Sequence, residues 1–100
     1  MSTNQSAERI LTVLDLLMQH FVHGLTPGEI VKATGFSAPN ITRYVATLEA
    51  TGWAERIPET NRIRASVRLA QRAEQIRSDL EQAQRRIGEL QSRINSSASI

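Results

Sequence analysis

The chain has 100 residues, 40% of them apolar and 22% charged, which allows one small domain with an appendage and argues against wholesale disorder. Its formal net charge is only +2, but its pI is near 9.9 and its basic residues are eleven arginines to one lysine. With no cysteine, disulfides, thiolate chemistry and Cys-based zinc sites are excluded, and no apolar run approaches the ~20 residues of a membrane span.

Arginine forks onto phosphate where lysine is a point charge, so the arginine excess raises nucleic acid as a partner. A coding bias gives the same excess, and composition does not decide between the two. The opening MSTNQSAERI is polar and lacks the apolar stretch of a secretory leader, so a cytoplasmic protein is expected.

In chain order, residues 1–5 read as a loose tail, and Ser6 is placed to cap a first helix running to about Gln19. Its apolar residues, Ile10, Leu11, Val13, Leu14, Leu17 and Met18, with Phe21 just beyond, cover roughly 160° of the wheel, wider than one core face requires. Either the helix is deeply embedded, or the surplus edge at Leu11 and Met18 meets a second subunit. His23-Gly24-Leu25 breaks the pattern. Thr26-Pro27-Gly28-Glu29 then has the form of a capping box with proline in the first turn, opening a second helix to about Thr34 that should bury Ile30, Val31 and Ala33. Gly35 stands where a left-handed residue ends a helix.

Ser37 is a second N-cap, for a third helix from Ala38 to about Ala50, with Pro39 tolerated in the first turn. Ile41, Tyr44, Val45 and Leu48 form its apolar stripe, and Gly52 ends it. The opposite flank carries Asn40, Thr42, Arg43, Ala46 and Thr47 rather than the Glu/Lys mixture of an ordinary solvated helix. Short strands are expected near Trp53–Ile57 and Arg62–Ala65, with Asn61 left-handed at the tip of the hairpin. After Ser66 a heptad seam begins. Leu69, Ile76, Ala83 and Leu90 take one seam position, and Ala73, Leu80, Ile87 and Ile94 the other, which points to a coiled coil to about residue 95 and a frayed end over 96–100.

Helix, capped helix, three-residue turn, helix and hairpin is the plan of a winged helix-turn-helix. The expected fold is therefore mainly α with a small β-hairpin, over residues 6–66, followed by a long coiled-coil helix over 67–95. A helix entering the major groove needs a flank short enough to approach base edges. Asn40, Thr42, Arg43 and Thr47 meet that need, and the helix start at Ser37 and Ala38 offers backbone N–H groups to a phosphate. Arg56, Arg62 and Arg64 on the hairpin are expected on the backbone or in the minor groove, unless Glu55 and Glu59 partner them.

Residues from about Glu8 to Leu69, through ILTVLDLL, GLTPGEIVKATGFSAPNITRYVATLEATGW and ERIPETNRIRASVRLA, resemble the N-terminal DNA-binding domain of IclR-type transcriptional regulators, with MarR-like domains second. The resemblance implies a recognition helix with arginine at Arg43 and a wing with flanking arginines. Ala38-Pro39-Asn40 departs from the Lys or Ser-Thr usual there, so site preference does not transfer, and Asn61 stands in place of the common wing-tip glycine. The heptad helix occupies the place of the family's effector domain, so no small-molecule sensing is expected.

The expected protein is a homo-oligomeric regulator of double-stranded DNA, of the repressor type, with no cofactor, no metal and no enzymatic activity. His20 and His23 lack a companion carboxylate nearby in sequence, and the carboxylates are scattered. Two alternatives stay open: a winged-helix adaptor for protein partners, and an accessory DNA-architecture protein of a phage or mobile element. Orientation of the coiled coil, and dimer against tetramer, are left open as well.

Overall fold

The computed structural model describes residues 2–98, which form helices α1 (Gln5–Gln19), α2 (Pro27–Thr34) and α3 (Ala38–Ala50), strands β1 (Ala54–Arg56) and β2 (Ile63–Ala65), and helix α4 (Val67–Ala98). The chain divides into two compact units, Met1–Leu69 and Ala70–Ile100, with the boundary inside the first turn of α4.

Helix α1 starts earlier than Ser6 allows. Asn4 is the cap, and its side-chain oxygen accepts from the Ala7 amide at 2.9 Å. Gln5 and Ser6 both tolerate helical geometry, so the earlier cap adds bonds to a nucleus already formed. The Thr3 hydroxyl donates to Glu8, so the segment expected as a loose tail takes part in the helix start, and only Met1 of it lies outside the described residues.

The capping box of α2 forms in full. The Thr26 hydroxyl accepts from the Glu29 amide at 3.1 Å while the Glu29 carboxylate accepts from the Thr26 amide at 2.9 Å. Gly35 ends α2 with φ of 74°, and its amide donates to the Val31 carbonyl. Ser37 caps α3 by accepting from the Asn40 amide at 3.3 Å. At the far end of α3 the Trp53 amide reaches the Leu48 carbonyl and the Gly52 amide the Glu49 carbonyl, the paired bonds of a Schellman turn.

The core of the first unit draws one stripe from each element: Val13 and Leu17, Ile30, then Ile41, Tyr44, Val45 and Leu48, closed by Leu25, Ala54, Ile63 and Ala65. In α2 only Ile30 is fully buried; Val31 is half-buried and Ala33 is exposed, because an eight-residue helix lays a narrow face on the core. Leu11 and Met18 are exposed, so α1 buries less than its whole apolar arc.

The hairpin pairs Ala54 with Ala65, Glu55 with Arg64 and Arg56 with Ile63, antiparallel, and is shorter than the expected strands. Trp53 is held by the α3 terminus, and at the other end the Ile57 amide closes the turn on the Arg62 carbonyl. Asn61 has φ of 60° at the tip, as its position requires. One further pairing carries no local signal: Leu25 bridges Ile63 through two 2.8 Å bonds and acts as a one-residue third strand. Gly24 makes that approach possible, since a Cβ there would sit 2.6 Å from the Ile63 carbonyl oxygen.

In the second unit α4 stays helical through Ser96 to Ala98, beyond the frayed end expected from residue 96, and Ser99 and Ile100 of that segment lie outside the described residues. Ile76, Leu80, Ile87, Leu90 and Ile94 stand exposed along it. Leu69, the first residue assigned to the heptad seam, belongs to the first unit and is packed against its core.

Candidate nucleic-acid interface

The outward flank of α3 is open. Ala38, Thr42, Arg43, Ala46 and Thr47 are exposed and Asn40 half-buried, while Ile41, Tyr44, Val45 and Leu48 face the core. The turn in front of α3 is held by Phe36, whose ring meets Tyr44 edge-on at 6.2 Å and carries the Arg9 guanidinium over its face at 5.0 Å. These contacts tie the turn to α1 through Arg9 and to α3 through Tyr44.

The side chains on this flank are partly committed. Arg43 donates to the Asn40 side-chain oxygen at 2.5 Å, which aligns the two residues one turn apart. The Thr42 and Thr47 hydroxyls donate to the Ala38 and Arg43 carbonyls, both at 3.1 Å. With their protons spent, these two hydroxyls present lone pairs and a methyl group outward. At the helix start the Ser37 hydroxyl takes the Asn40 amide and Pro39 has none, which leaves the Ala38 amide for an anion.

The hairpin arginines are all engaged with carboxylates of the same unit. Arg62 donates to the His23 carbonyl at 3.1 Å, the Gly24 carbonyl at 3.2 Å and the Glu29 carboxylate at 2.6 Å. Arg64 forks onto Glu55 at 2.8 and 3.1 Å, across the strand pair, and lies 5.5 Å from the Phe21 ring. Arg56 holds Glu49 of α3 more loosely, at 3.4 Å. Glu59, the other partner foreseen for these arginines, makes none of these pairs; Glu29 and Glu49 do, and both come from the helices.

Two carboxylates do double duty. The Glu29 carboxyl is held below the usual range mainly by the Thr26 amide, with Arg62 adding to it. Glu55 is lowered by the Val67 amide first and Arg64 second, because it caps the start of α4 at 2.9 Å while pairing across the hairpin. The pairing of Glu29 with Arg62 and the capping of α4 by Glu55 are not visible in a local pattern. Nor is the role of Arg68, which lies 4.0 Å over the Trp53 ring and donates to the Thr51 carbonyl at the end of α3. His20 and His23 are exposed, and no group of metal-ligating side chains forms among the described residues.

A capped α2, a three-residue turn, an outward-facing α3 and a hairpin pinned beside them form a winged helix-turn-helix, and residues 6–58 match the model of the IclR helix-turn-helix domain. The chain belongs to the IclR helix-turn-helix family. No curated protein and no solved structure matches it. The IclR helix-turn-helix is a DNA-binding domain of transcription regulators and not a catalytic one. The IclR match ends inside the hairpin turn, so β2 and α4 lie outside it. No helix among the described residues is long and apolar enough to cross a membrane.

Proposed function

We propose that this chain is a sequence-specific regulator of double-stranded DNA that lays α3 in the major groove and acts as a repressor by occupying its site. The observation that carries the reading is the exposed small flank of α3 against its buried apolar stripe. Arg43 forks onto a guanine, with Asn40 oriented beside it. Thr42 and Thr47 offer acceptors and methyl groups to neighbouring base edges. The Ala38 amide, beside the Ser37 cap, meets a phosphate. Arg56, whose carboxylate pair is the longest of the hairpin's three, swings to the backbone. Arg62 and Arg64 build the wing.

Residues 6–66 form the DNA-binding domain in this reading, and α4 joins two copies through the seam at Ala73, Ile76, Leu80, Ala83, Ile87, Leu90 and Ile94, with Leu69 left to the core. A single winged helix makes few phosphate contacts, and linkage raises the effective concentration of the second for its half-site. Leu11, 63% exposed, and Met18, 43% exposed, give α1 an apolar edge for a second contact between copies. Truncation after Ala70 then yields a monomer of poorer DNA affinity; an unchanged mass in solution makes α1 the principal interface.

Enrichment of bound duplexes from a random pool tests the reading, with wild type and Arg43→Ala run together. The expected result is a defined motif for the wild type and loss of preference at one base pair in the variant. Identical motifs would remove Arg43 from the reading face. The carboxylate partners of the hairpin arginines favour one second reading, an adaptor for protein partners. It predicts no retardation of random duplex DNA in a low-salt gel shift.

A further inference from the structure

We propose that the exposed seam of α4 pairs antiparallel with the same seam of a second copy of this chain, in the register that sets Arg85 opposite its own counterpart. The proposal rests on the reading of α4 as the self-association helix and supplies the orientation that the heptad alone leaves open.

Charge is the first argument. In a parallel pair the flanking positions bring Arg72 against Arg77 of the other copy, while Asp79 and Arg86 face only glutamines, so no attractive contact forms. Arg77 is moreover already paired with both Glu74 and Glu81 of its own helix. In the antiparallel register Asp79 of each copy meets Arg93 of the other, twice by symmetry, against a single Arg86–Arg86 approach at the centre.

Volume is the second argument. Parallel pairing stacks Ala73 on Ala73 and Ala83 on Ala83, two layers too small to fill the space between helices. The antiparallel register instead layers Leu80 on Leu90, Ile87 on Ala83 and Ile94 on Ile76, each repeated by the two-fold axis. Every large residue of these layers is between 50% and 61% exposed in the isolated helix, so each has surface to lose.

The position of Leu69 decides between antiparallel registers. Sliding one helix by a heptad puts Leu80 on Ala83 and Ile94 on Leu69, but Leu69 is packed against the core of its own unit. The register centred on Arg85 uses only residues from Ile76 to Ile94. It holds the two α4 starts roughly 54 Å apart at a rise of about 1.5 Å per residue, where a parallel pair would set them side by side.

Because the natural chain has no cysteine, single-cysteine variants report this geometry directly. A tagged Leu80→Cys chain is mixed with an untagged Leu90→Cys chain and oxidised mildly in the absence of DNA. The expected product is the mixed disulfide, with little cross-linking of either chain alone. Arg86→Cys, a surface change that spares the seam, is expected to cross-link with itself. Self-linked Leu80→Cys and Leu90→Cys would show a parallel pair, and preferential linking of Leu80→Cys to Ala83→Cys the shifted register. No cross-link in any combination, with the wild type monomeric by light scattering, would remove self-pairing itself. Each of these outcomes overturns the proposal while leaving the duplex-selection experiment to judge DNA binding separately.

Discussion

Replacing Arg62 by alanine separates two roles that the residue type alone cannot distinguish. The guanidinium lies in the first unit with a side chain about one-third exposed, donating to the His23 and Gly24 carbonyls and to Glu29. Glu29 is open to solvent, so its ion pair is screened and is assigned no share of the stability. The two carbonyl bonds, at about 0.5–1 kcal/mol net each, give an expected loss of about 1–2 kcal/mol. For a domain of this size that lowers the melting temperature by roughly 4–16 °C. Arg62→Lys is expected to recover little, because one ammonium does not reproduce the fork that spans two carbonyls and a carboxylate. The paired assay is thermal melting together with the salt dependence of duplex binding. An arginine that neutralises one phosphate contributes about 0.9 to the slope of log affinity against log salt, so a wing-building Arg62 leaves that slope unchanged. An unchanged melting temperature with a slope reduced by about 0.9 would refute the assignment and put Arg62 on the DNA backbone.

Other expectations are more direct. Arg43→Ala should cost about 1–3 kcal/mol of discrimination at one base pair, measured by anisotropy on single-base variants of the selected site, with melting unchanged because the residue is exposed. Gly24→Ala should destabilise by about 3 kcal/mol or more, since its Cβ meets the Ile63 carbonyl at 2.6 Å and its φ is 67°. Gly35→Ala, with the same hand of backbone and nothing within 4 Å, should lose only the ~1–2 kcal/mol of the left-handed conformation, so equal losses in urea titrations would contradict the close contact at Gly24. Glu55→Gln should destabilise at neutral pH and converge with wild type in acid. The folded carboxyl lies below its ordinary value of 4.5, so its contribution is present above that pH and disappears as pH falls through the folded value. A stability gap that does not narrow as pH falls below 4.5 would point to packing rather than charge.

Much of the fold was legible in order along the chain because its signals are short-range. Thr26 with Glu29, Ser37 ahead of Ala38, Gly35 and Asn61 each act within a few residues, and each adopts the geometry its type favours. The α3 flank follows from the same logic, since a buried stripe at Ile41, Tyr44, Val45 and Leu48 leaves Thr42, Arg43, Ala46 and Thr47 on the other side. At two positions two local choices were both adequate, and only the structure shows which contact forms. Asn4 and Ser6 are equally good caps, and the longer helix prevailed. Leu69 fits the heptad and the core alike, and the core takes it.

The sequence by itself determined where helices start and stop, which stripe of each is apolar, and that a heptad follows the hairpin, because these depend on neighbours a turn or two away. Tertiary structure decided what Arg62 and Arg68 meet. Arg62 finds partners 33 to 39 residues back in the chain, and Leu25 pairs with Ile63 across a comparable gap. Contacts of that span follow from how the packed core brings separate elements together, and no periodicity along the chain encodes them.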